Sequence, residues 1–362
     1  MQYTKENISG LNASDFQADI HGNRTDLYVL RNINGMEVCV TNFGALILSI
    51  MVPDRNGKME NVVIGCDNIS LAEKLSREYY IGATIGPVAG RILNGKIRVN
   101  GMDYQLPVNS YPNTLHSGEN GFHTVVWKAS QTSQNRLELS YEYKDGEAGF
   151  PGNISARMTY SITDDNELVI EYYASADRDT VYAPTNHAYF NLSGIGNPSP
   201  SIEDHLVKIN SRLFLPTDEN TNHTGEILSV ENTPFDFREF HAIGERINSG
   251  HPQLENGHGY DHLFVIDRKG YDELEYAASC VSPRSGIRLD IFTTEAGMIM
   301  YTGNYLPGFT AMHGTTHPRR SAVCFETERF PDTPANLHFP SILLRRGELY
   351  SQTCVYKFSI QP

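Results

Sequence analysis

The chain has 362 residues, of which 40% are apolar and 20% are charged, as is ordinary for a water-soluble globular protein. Its formal net charge of -14 argues against a nucleic acid or an anionic membrane as a partner. The longest apolar stretch, 43–52, is about half the length that a transmembrane helix needs, so no membrane contact is predicted.

The cysteines and the N-terminus bear on the cellular compartment. The 5 cysteines are scattered, form no Cys-x-x-Cys pair, and lie mostly in apolar runs. This pattern is typical of reduced, buried thiols. The first ten residues, MQYTKENISG, lack the apolar core of a secretory signal. Together these features predict a cytoplasmic protein.

The first half of the chain is predicted to consist of short strands joined by turns. Asn34-Gly35 lies between two alternating segments, which is the strongest local signal for a β-hairpin. One short helix is predicted over 70–78, and a glycine-rich segment, GATIGPVAGR, spans 82–91. The predicted strands are 27–30, 36–40, 43–52, 62–65, 96–99 and 104–108.

The second half continues this pattern around one long polar segment. Residues 216–260 are rich in Pro and Gly and predict loops, with a short helix near 239–248. No helical period persists long enough for β-α-β units, so an all-β sandwich or barrel-like fold is expected. No linker or repeat divides the chain, which favours a single domain over 1–362, with 1–25 as an N-terminal extension or edge strand. The further predicted strands are 125–127, 137–143, 155–162, 168–174, 206–215, 262–267, 273–281, 287–294, 297–302, 321–326 and 350–360.

The stretch AVCFETERFPDTP at 322–334 contains the first candidate site residue. An apolar run leads into Glu326, and the prolines and Asp332 that follow predict that a buried strand ends there. A carboxylate at such a position is rigidly supported and partly desolvated, which suits a general base. A surface ion pair between Glu326 and Arg329 explains the same residues, and this stretch alone favours that simpler interpretation.

Four further residues in polar segments are candidates for a site. His187 lies in TNHAYFNLSG and His116 in NTLHSG. A histidine among aromatic residues can have a pKa near neutrality, but a core histidine bonded to backbone carbonyls is ordinarily the safer interpretation. Arg91 in the glycine-rich segment can grip sugar hydroxyls or an anion, or can form a surface ion pair. Asp261 can accept hydrogen bonds from neighbouring hydroxyls, or can be a turn residue at the start of a strand.

Metal and phosphate sites are not predicted. The spacing of His258 and His262 would suit a metal on a helix, but Gly259 and the strand-like run that follows argue against a helix. No His-Glu-x-x-His motif or Cys/His cluster is present, so no catalytic metal is expected. The segment 90–96 has the spacing of a phosphate-binding loop, but Ile97 stands where the metal-binding hydroxyl belongs.

Six motifs, taken together and in order, resemble the aldose 1-epimerase or galactose mutarotase family. The resemblance runs from about residue 27 to the C-terminus. The motifs around His187 and Glu326 are the most specific of the set. The six are GPVAGRI at 86–92, NTLHSGENGFHTVVW at 113–127, TNHAYFNLSG at 185–194, YDHLFVI at 260–266, YTGNYL at 301–306 and FETERFPDTPAN at 325–336.

The resemblance implies a single large β-sandwich of the galactose mutarotase type, a supersandwich, that interconverts the α and β anomers of a free aldose without cofactor or metal. By motif match, Glu326 falls on the general base and His187 on the general acid. His116 falls on a second active-site histidine that contacts substrate. Arg91 and Asp261 fall on sugar-binding positions. The expected partner is a monosaccharide, a hexose such as galactose or glucose, and the chain is expected to be a monomer or homodimer.

Four positions depart from the pattern of that family. Pro87 and Gly90 stand where the family usually has Arg and Asn, and Ile299 stands where it often has a sugar-contacting Gln. The family's Glu-Thr-Gln is Glu-Thr-Glu here, with Glu328 as its last residue. The acid-base pair is unchanged, so these departures concern sugar recognition, and the preferred sugar stays open.

The expected chemistry is an acid-base opening of the sugar ring. A base takes the proton of O1, an acid protonates the ring oxygen O5, and the roles reverse at closure. Ionised Glu326 is expected to raise the pKa of His187 and Arg91 to lower it, giving a bell-shaped dependence of rate on pH. Three alternatives remain: a non-catalytic sugar-binding protein, a hexose 6-phosphate epimerase, and a glycoside hydrolase that uses Glu326 with Asp261.

Overall fold

The computed structural model describes residues 7–270 and 273–361. The first six residues of the predicted N-terminal extension lie outside the described residues. The rest of that segment packs on the fold: Phe16 is buried, and the backbone N–H groups of Ile8 and Ser9 each donate to the buried Glu37 carboxylate at 3.0 Å. A single domain over 1–362 stays a prediction.

Short strands make up most of the regular structure of the described residues. The first strands are β1 (Asp19–Ile20), β2 (Asn23–Arg24), β3 (Leu27–Arg31), β4 (Glu37–Thr41), β5 (Leu46–Pro53), β6 (Met59–Asn61), β7 (Thr84–Ile85), β8 (Arg91–Ile92), β9 (Lys96–Val99), β10 (Met102–Gln105), β11 (Thr114–Leu115), β12 (Lys128–Ser133), β13 (Arg136–Tyr143), β14 (Ile154–Ile162), β15 (Glu167–Ala176) and β16 (Thr180–Val181). The later strands are β17 (Thr185–Asn186), β18 (Tyr189–Phe190), β19 (Leu206–Ile209), β20 (Leu213–Phe214), β21 (Leu228–Ser229), β22 (His241–Ala242), β23 (Asp261–Val265), β24 (Glu275–Val281), β25 (Ile287–Thr293), β26 (Gly297–Tyr301), β27 (Phe309–Thr310), β28 (Thr316–His317), β29 (Val323–Glu328), β30 (Leu343–Leu344) and β31 (Tyr350–Ile360).

Helices are few and short in the same residues. The α-helices are α1 (Ile69–Tyr79), α2 (Ile243–Arg246) and α3 (Pro252–Asn256). The 3-10 helices are Ala13–Phe16, Leu93–Gly95, Phe122–Thr124, Glu147–Gly149 and Met312–Gly314. None of these helices is long and apolar enough to span a membrane.

Three antiparallel sheets organise the fold. The largest has nine strands in the order β12-β13-β14-β15-β31-β25-β24-β19-β22. A six-stranded sheet has the order β18-β29-β26-β23-β20-β21, and a four-stranded sheet has the order β3-β4-β5-β6. In β15 buried and more exposed residues alternate, as in a sheet with one face on the core, whereas every residue of β29 is buried. The six-stranded sheet therefore carries β29 through the interior.

The all-β prediction is confirmed, as are the Asn34-Gly35 hairpin, formed by β3 and β4, and the helix near 70–78, which is α1. The predicted helix near 239–248 contains α2. All 5 cysteines are free and buried. Several strand boundaries are wrong. The segment predicted as one strand over 206–215 is two strands, β19 and β20, which belong to different sheets. The strand predicted over 43–52 begins at Leu46, because Gly44 and Ala45 turn the chain with φ of 59° and 49°.

Three further boundary errors arise where side chains, a 3-10 helix or a proline interrupt the ladder. The segment 62–65 is not a strand; the Asn61 side chain accepts the N–H groups of Ile50 and Val63 and so replaces the ladder there. The segment 125–127 follows a 3-10 helix, and regular pairing starts only at β12. The strand predicted over 104–108 is β10, which ends before Pro107.

Candidate active site

Glu326 lies inside β29, between β26 and β18. The strand continues to Glu328, which still pairs with Gly297, so the prediction that it ends at Glu326 is wrong. The simpler interpretation of a surface ion pair is also wrong, because Glu326 is only 2% exposed and Arg329 forms an ion pair with Glu295 at 3.2 Å. Glu326 is a buried carboxyl on a rigid interior strand.

His187 is fixed by its backbone and by two aromatic rings. It lies between β17 and β18, its N–H donates to the Ala83 carbonyl at 2.8 Å, and its carbonyl accepts from the Gly82 N–H at 3.0 Å. Tyr189 and Tyr80 stack on the imidazole, with centroid distances of 4.9 and 5.9 Å. The plane of the ring is therefore set by packing.

The two catalytic candidates meet in the interior. His187 Nε2 lies 3.5 Å from Glu326 Oε1, although the residues are far apart in the chain. Among the described residues, neither His187 Nδ1 nor Glu326 Oε2 has a hydrogen-bond partner, and both atoms are buried. Buried polar atoms are seldom left without a partner, so these two atoms are available to the polar groups of a ligand.

His116 approaches the pair from a strained turn after β11. Its φ is 51°, a conformation that residues other than glycine seldom adopt. Its N–H donates to the Gly90 carbonyl at 3.0 Å, and the Gly90 N–H donates to His116 Nδ1 at 3.2 Å. Because Nδ1 accepts, the proton of the neutral ring is on Nε2. Burial lowers the pKa of His116 well below its ordinary value, so the ring is a neutral donor.

Arg91 and Asp261 come from two different sheets. Arg91 begins β8 and pairs with Leu115, which immediately precedes His116. Asp261 begins β23 and pairs with Tyr301 of β26. Burial raises the pKa of Asp261 and the Arg91 charge lowers it. The guanidinium thus offsets part of the cost of a carboxylate in this interior.

All five predicted site residues line one cavity of about 180 Å³. The remaining wall is largely aromatic and apolar, as is common for pockets that bind small molecules. Of the four positions that depart from the family pattern, Gly90 and Ile299 line it. The lining residues are Glu78, Tyr79, Tyr80, Gly90, Arg91, Leu115, His116, His187, Tyr189, Thr221, His223, Asp261, Ile299, Tyr301, Tyr305 and Glu326.

Burial, more than the neighbouring charges, sets the proton positions in the cavity. It lowers the pKa of His187 to about 3, which contradicts the prediction that ionised Glu326 holds this pKa up. It also raises the pKa of Glu326 well above its ordinary value; the Asp261 charge adds to this effect and the Arg91 charge opposes it. A buried site favours the neutral form of each group, so a proton shared by the pair favours Glu326 over His187.

His116, His187 and Glu326 lie close enough together to be considered as ligands of one metal ion. One ligand atom from each of His116, His187 and Glu326 lies within 4.8 Å of the others. A histidine that binds a metal usually donates its other ring N–H to an acceptor. His116 does the opposite, since its Nδ1 accepts from Gly90. The donor set therefore fits hydrogen bonding to a ligand, and the absence of a catalytic metal stays a prediction.

Sequence reasoning assigned no site role to several residues that line the cavity. Tyr80 reaches it because α1 ends there, with a left-handed φ of 59° that turns the chain. Thr221 and His223 belong to the polar segment that was predicted only as loop. Tyr189 stands two residues after His187 in the same motif, and that proximity was the one available signal.

Comparison with known proteins gives consistent matches over nearly the whole chain. A family model described as aldose 1-epimerase matches residues 26–357. The galactose mutarotase of Rattus norvegicus is 39% identical over 340 residues, which cover 94% of this chain and 95% of the relative. The aldose 1-epimerase of Haemophilus influenzae is 33% identical over 339 residues, which cover 92% and 95% of the two chains.

A solved structure shows the same fold. The crystal structure of an aldose epimerase homologue from C. elegans superposes with a TM-score of 0.84 at 29% sequence identity. The match covers 93% of this chain and 100% of that chain. The β-sandwich that the motifs implied is therefore the fold of this protein.

Proposed function

Because the chain belongs to the aldose 1-epimerase family and is an isomerase of aldoses, we propose that Glu326 and His187 are the general base and the general acid of its reaction. The observation that supports this assignment is the 3.5 Å separation of His187 Nε2 and Glu326 Oε1. O1 and O5 of an aldopyranose are bonded to the same carbon. Two groups this close can therefore reach both oxygens of one hemiacetal.

Ring opening proceeds as one coordinated pair of proton transfers. Glu326 takes the proton from O1, the C1–O5 bond breaks as the C1=O1 double bond forms, and His187 donates a proton to O5. The product is the open-chain aldehyde. Rotation about C1–C2 presents the other face of the carbonyl, and O5 attacks it while both protons return. Atoms and charge balance with no oxidant, reductant or added water.

The reaction starts from the minor proton arrangement of the pair. Burial favours the proton on Glu326, whereas the reaction needs it on His187. The 3.5 Å contact allows the proton to pass between the two groups. A sugar whose O1–H donates to Glu326 favours the ionised carboxylate and therefore the reactive arrangement.

The other three residues hold the sugar. His116 donates from Nε2 on the ring-oxygen side, where negative charge develops as C1–O5 breaks. Asp261 accepts hydrogen bonds from hydroxyls of the sugar, and Arg91 donates to them. The partner of Glu326 at 3.5 Å is the His187 imidazole, which favours proton transfers at a free anomeric hydroxyl over the two-carboxyl chemistry of a glycoside hydrolase.

The finer identity of the substrate belongs to this proposal too. We take it to be a free hexose such as galactose or glucose, bound by a monomer or homodimer in the cytoplasm. The five buried free thiols fit a reducing compartment. Anomerisation rates across a panel of aldoses would establish the preference, and Ile299 in the cavity wall is the first residue to vary.

Polarimetry of freshly dissolved α-galactose or α-glucose tests the acid-base assignment. Glu326→Gln and His187→Gln should each lower the enzymatic rate by about 10²- to 10⁴-fold, the usual value of one acid-base group. Glu138→Gln is the matched control, because that carboxyl is half exposed on β13 at 50%. It should keep the wild-type rate.

The result that would contradict the assignment is a wild-type rate in a folded Glu326→Gln protein. Circular dichroism and thermal denaturation would establish that each variant is folded. A rate loss in Glu138→Gln equal to that in Glu326→Gln would show that the substitution acts through general destabilisation.

A further inference from the structure

Glu328 is a second fully buried carboxyl on the strand that carries Glu326. Side chains alternate along a strand, so residues two apart share one face, with their Cα atoms about 7 Å apart. Glu328 is 0% exposed. It is absent from the cavity lining, to which Gly90 and Glu326 belong. It therefore stands directly behind the wall of the cavity.

No described residue donates a hydrogen bond to the Glu328 carboxyl. Among the described residues, neither of its oxygens has a partner, and neither has Glu326 Oε2. The residue opposite it on β26 is Gly297, which has no side chain. On the cavity side, Glu328 Oε1 lies 3.4 Å from the point that a Cβ on Gly90 would occupy. The two oxygens of Glu328 and Oε2 of Glu326 thus lie buried on one face of β29, and among the described residues each carboxyl is the available partner of the other.

Charges around Glu328 oppose its ionisation. Burial is the main cause that raises its pKa, and the charges of Glu326, Glu295 and Asp261 raise it further. Arg329 forms an ion pair with Glu295, and the Arg91 charge lowers the pKa of Glu326. Two carboxyls in a dry site satisfy each other when one keeps its proton, because the O–H of the acid donates to the other carboxylate.

We propose that Glu328 is a positioning residue for Glu326: its protonated carboxyl donates a hydrogen bond to Glu326 Oε2 and leaves Oε1 to the sugar and His187. This inference rests on the proposed role of Glu326 as general base. The bond stabilises the Glu326 anion inside a cavity that otherwise favours its neutral form. It also fixes the carboxylate by one oxygen so that the other points into the cavity.

Two uncharged substitutions distinguish the effect of losing the hydrogen-bond donor from the effect of changing the volume of the side chain. Glu328→Gln retains N–H donors, and Glu328→Met has a similar length without a donor. The kcat of Glu328→Met should be about 10- to 100-fold below that of Glu328→Gln, the range for a hydrogen bond to a charged group. Their KM values should be similar, since Glu328 does not line the cavity. The decrease of kcat at alkaline pH should occur at a higher pH in Glu328→Met than in Glu328→Gln, because Glu326 then loses its proton less readily.

A purely structural role for Glu328 gives a different outcome. If the two folded variants share one kcat and one pH profile, the proposal is overturned. Infrared difference spectra decide the matter even where Glu328→Met does not fold. Wild type minus Glu328→Gln at neutral pH should show the carbonyl stretch of a protonated carboxyl, and loss of an ionised carboxylate band instead would overturn the proposal.

Failure of this inference is distinguishable from failure of the proposed function. A fully active Glu326→Gln protein would remove Glu326 as the base, whatever Glu328 does. An inactive Glu326→Gln protein together with equal Glu328→Gln and Glu328→Met kinetics would keep the base and remove its positioning residue. The infrared measurement reports the proton on Glu328 without reference to catalysis.

Discussion

Gly90 offers a test of how the backbone positions His116. Its φ is 72°, and a Cβ built on it would lie 2.8 Å from both Cβ and Cγ of Pro331. Both contacts are with a stiff proline ring, so the clash cannot be relieved by rotating a flexible side chain. Gly90→Ala therefore forces the backbone at 90 to move, and with it the N–H that donates to His116 Nδ1 at 3.2 Å.

The cost of Gly90→Ala has two parts. A left-handed conformation costs an alanine roughly 1–2 kcal/mol relative to glycine, and overpacking against a rigid neighbour adds about 1–3 kcal/mol. We expect a loss in the free energy of unfolding of about 2–5 kcal/mol. Gly101→Ala is the matched control, because Gly101 has a φ of 78° with nothing within 4 Å of its added Cβ. It should lose only roughly 1–2 kcal/mol.

Urea denaturation and polarimetry of the two variants check this reasoning. A misplacement of about 1 Å in a catalytic constellation can cost about 10²-fold in rate, so Gly90→Ala should lose kcat/KM where Gly101→Ala does not. Equal losses of stability in the two variants would refute the packing argument. A destabilised Gly90→Ala protein with the wild-type rate would refute the link from Gly90 to His116.

Two further predictions concern protons and donors in the cavity. Because the pKa of His187 is lowered to about 3 and that of Glu326 is raised, the pair keeps one proton across the neutral range, and kcat/KM should be flat there. The value of kcat/KM should fall in acid below the pKa of His187 and in alkali above the pKa of Glu326. A fall of kcat/KM near pH 6.5 that the His187→Gln substitution abolishes would contradict this. His116→Phe, which keeps a planar ring but removes the Nε2–H donor, should lower kcat by about 10²- to 10³-fold, and a steady-state rate equal to wild type would exclude that donor.

The sequence could reveal the site where chemistry and local pattern coincide. Glu326, His187 and His116 each lie in a motif whose polar residues interrupt a strand-like run, and all three line the cavity. The sequence could not reveal that β29 continues past Glu326, because a polar Glu-Thr-Glu run looks like the end of a buried strand. The strand persists there because Glu328 still pairs with Gly297 of β26, and every residue of β29 is buried.

Other features depend on tertiary contacts that no local pattern encodes. His223 comes from a polar loop segment and reaches the cavity only through the folding of that segment over it. The pKa of His187 was predicted from its charged neighbours, but desolvation outweighs them, and the degree of desolvation is known only once the cavity is closed. The pattern of turns gave the class of fold, while the exact strand ends depended on side chains such as Asn61.

The burial of Glu326 and His187 has a direct consequence for the proposed reaction path. In the proposed mechanism, ring opening converts ionised Glu326 and protonated His187 into the neutral carboxylic acid and the neutral imidazole, which is the arrangement that burial favours. The free energy needed to desolvate the two charges therefore enters when the charged pair forms, and it is recovered as the C1–O5 bond breaks. A wetter site would stabilise the charged pair and lose this gain. The burial that makes both pKa values abnormal thus lowers the free energy of the open-chain state relative to the charged pair from which it forms.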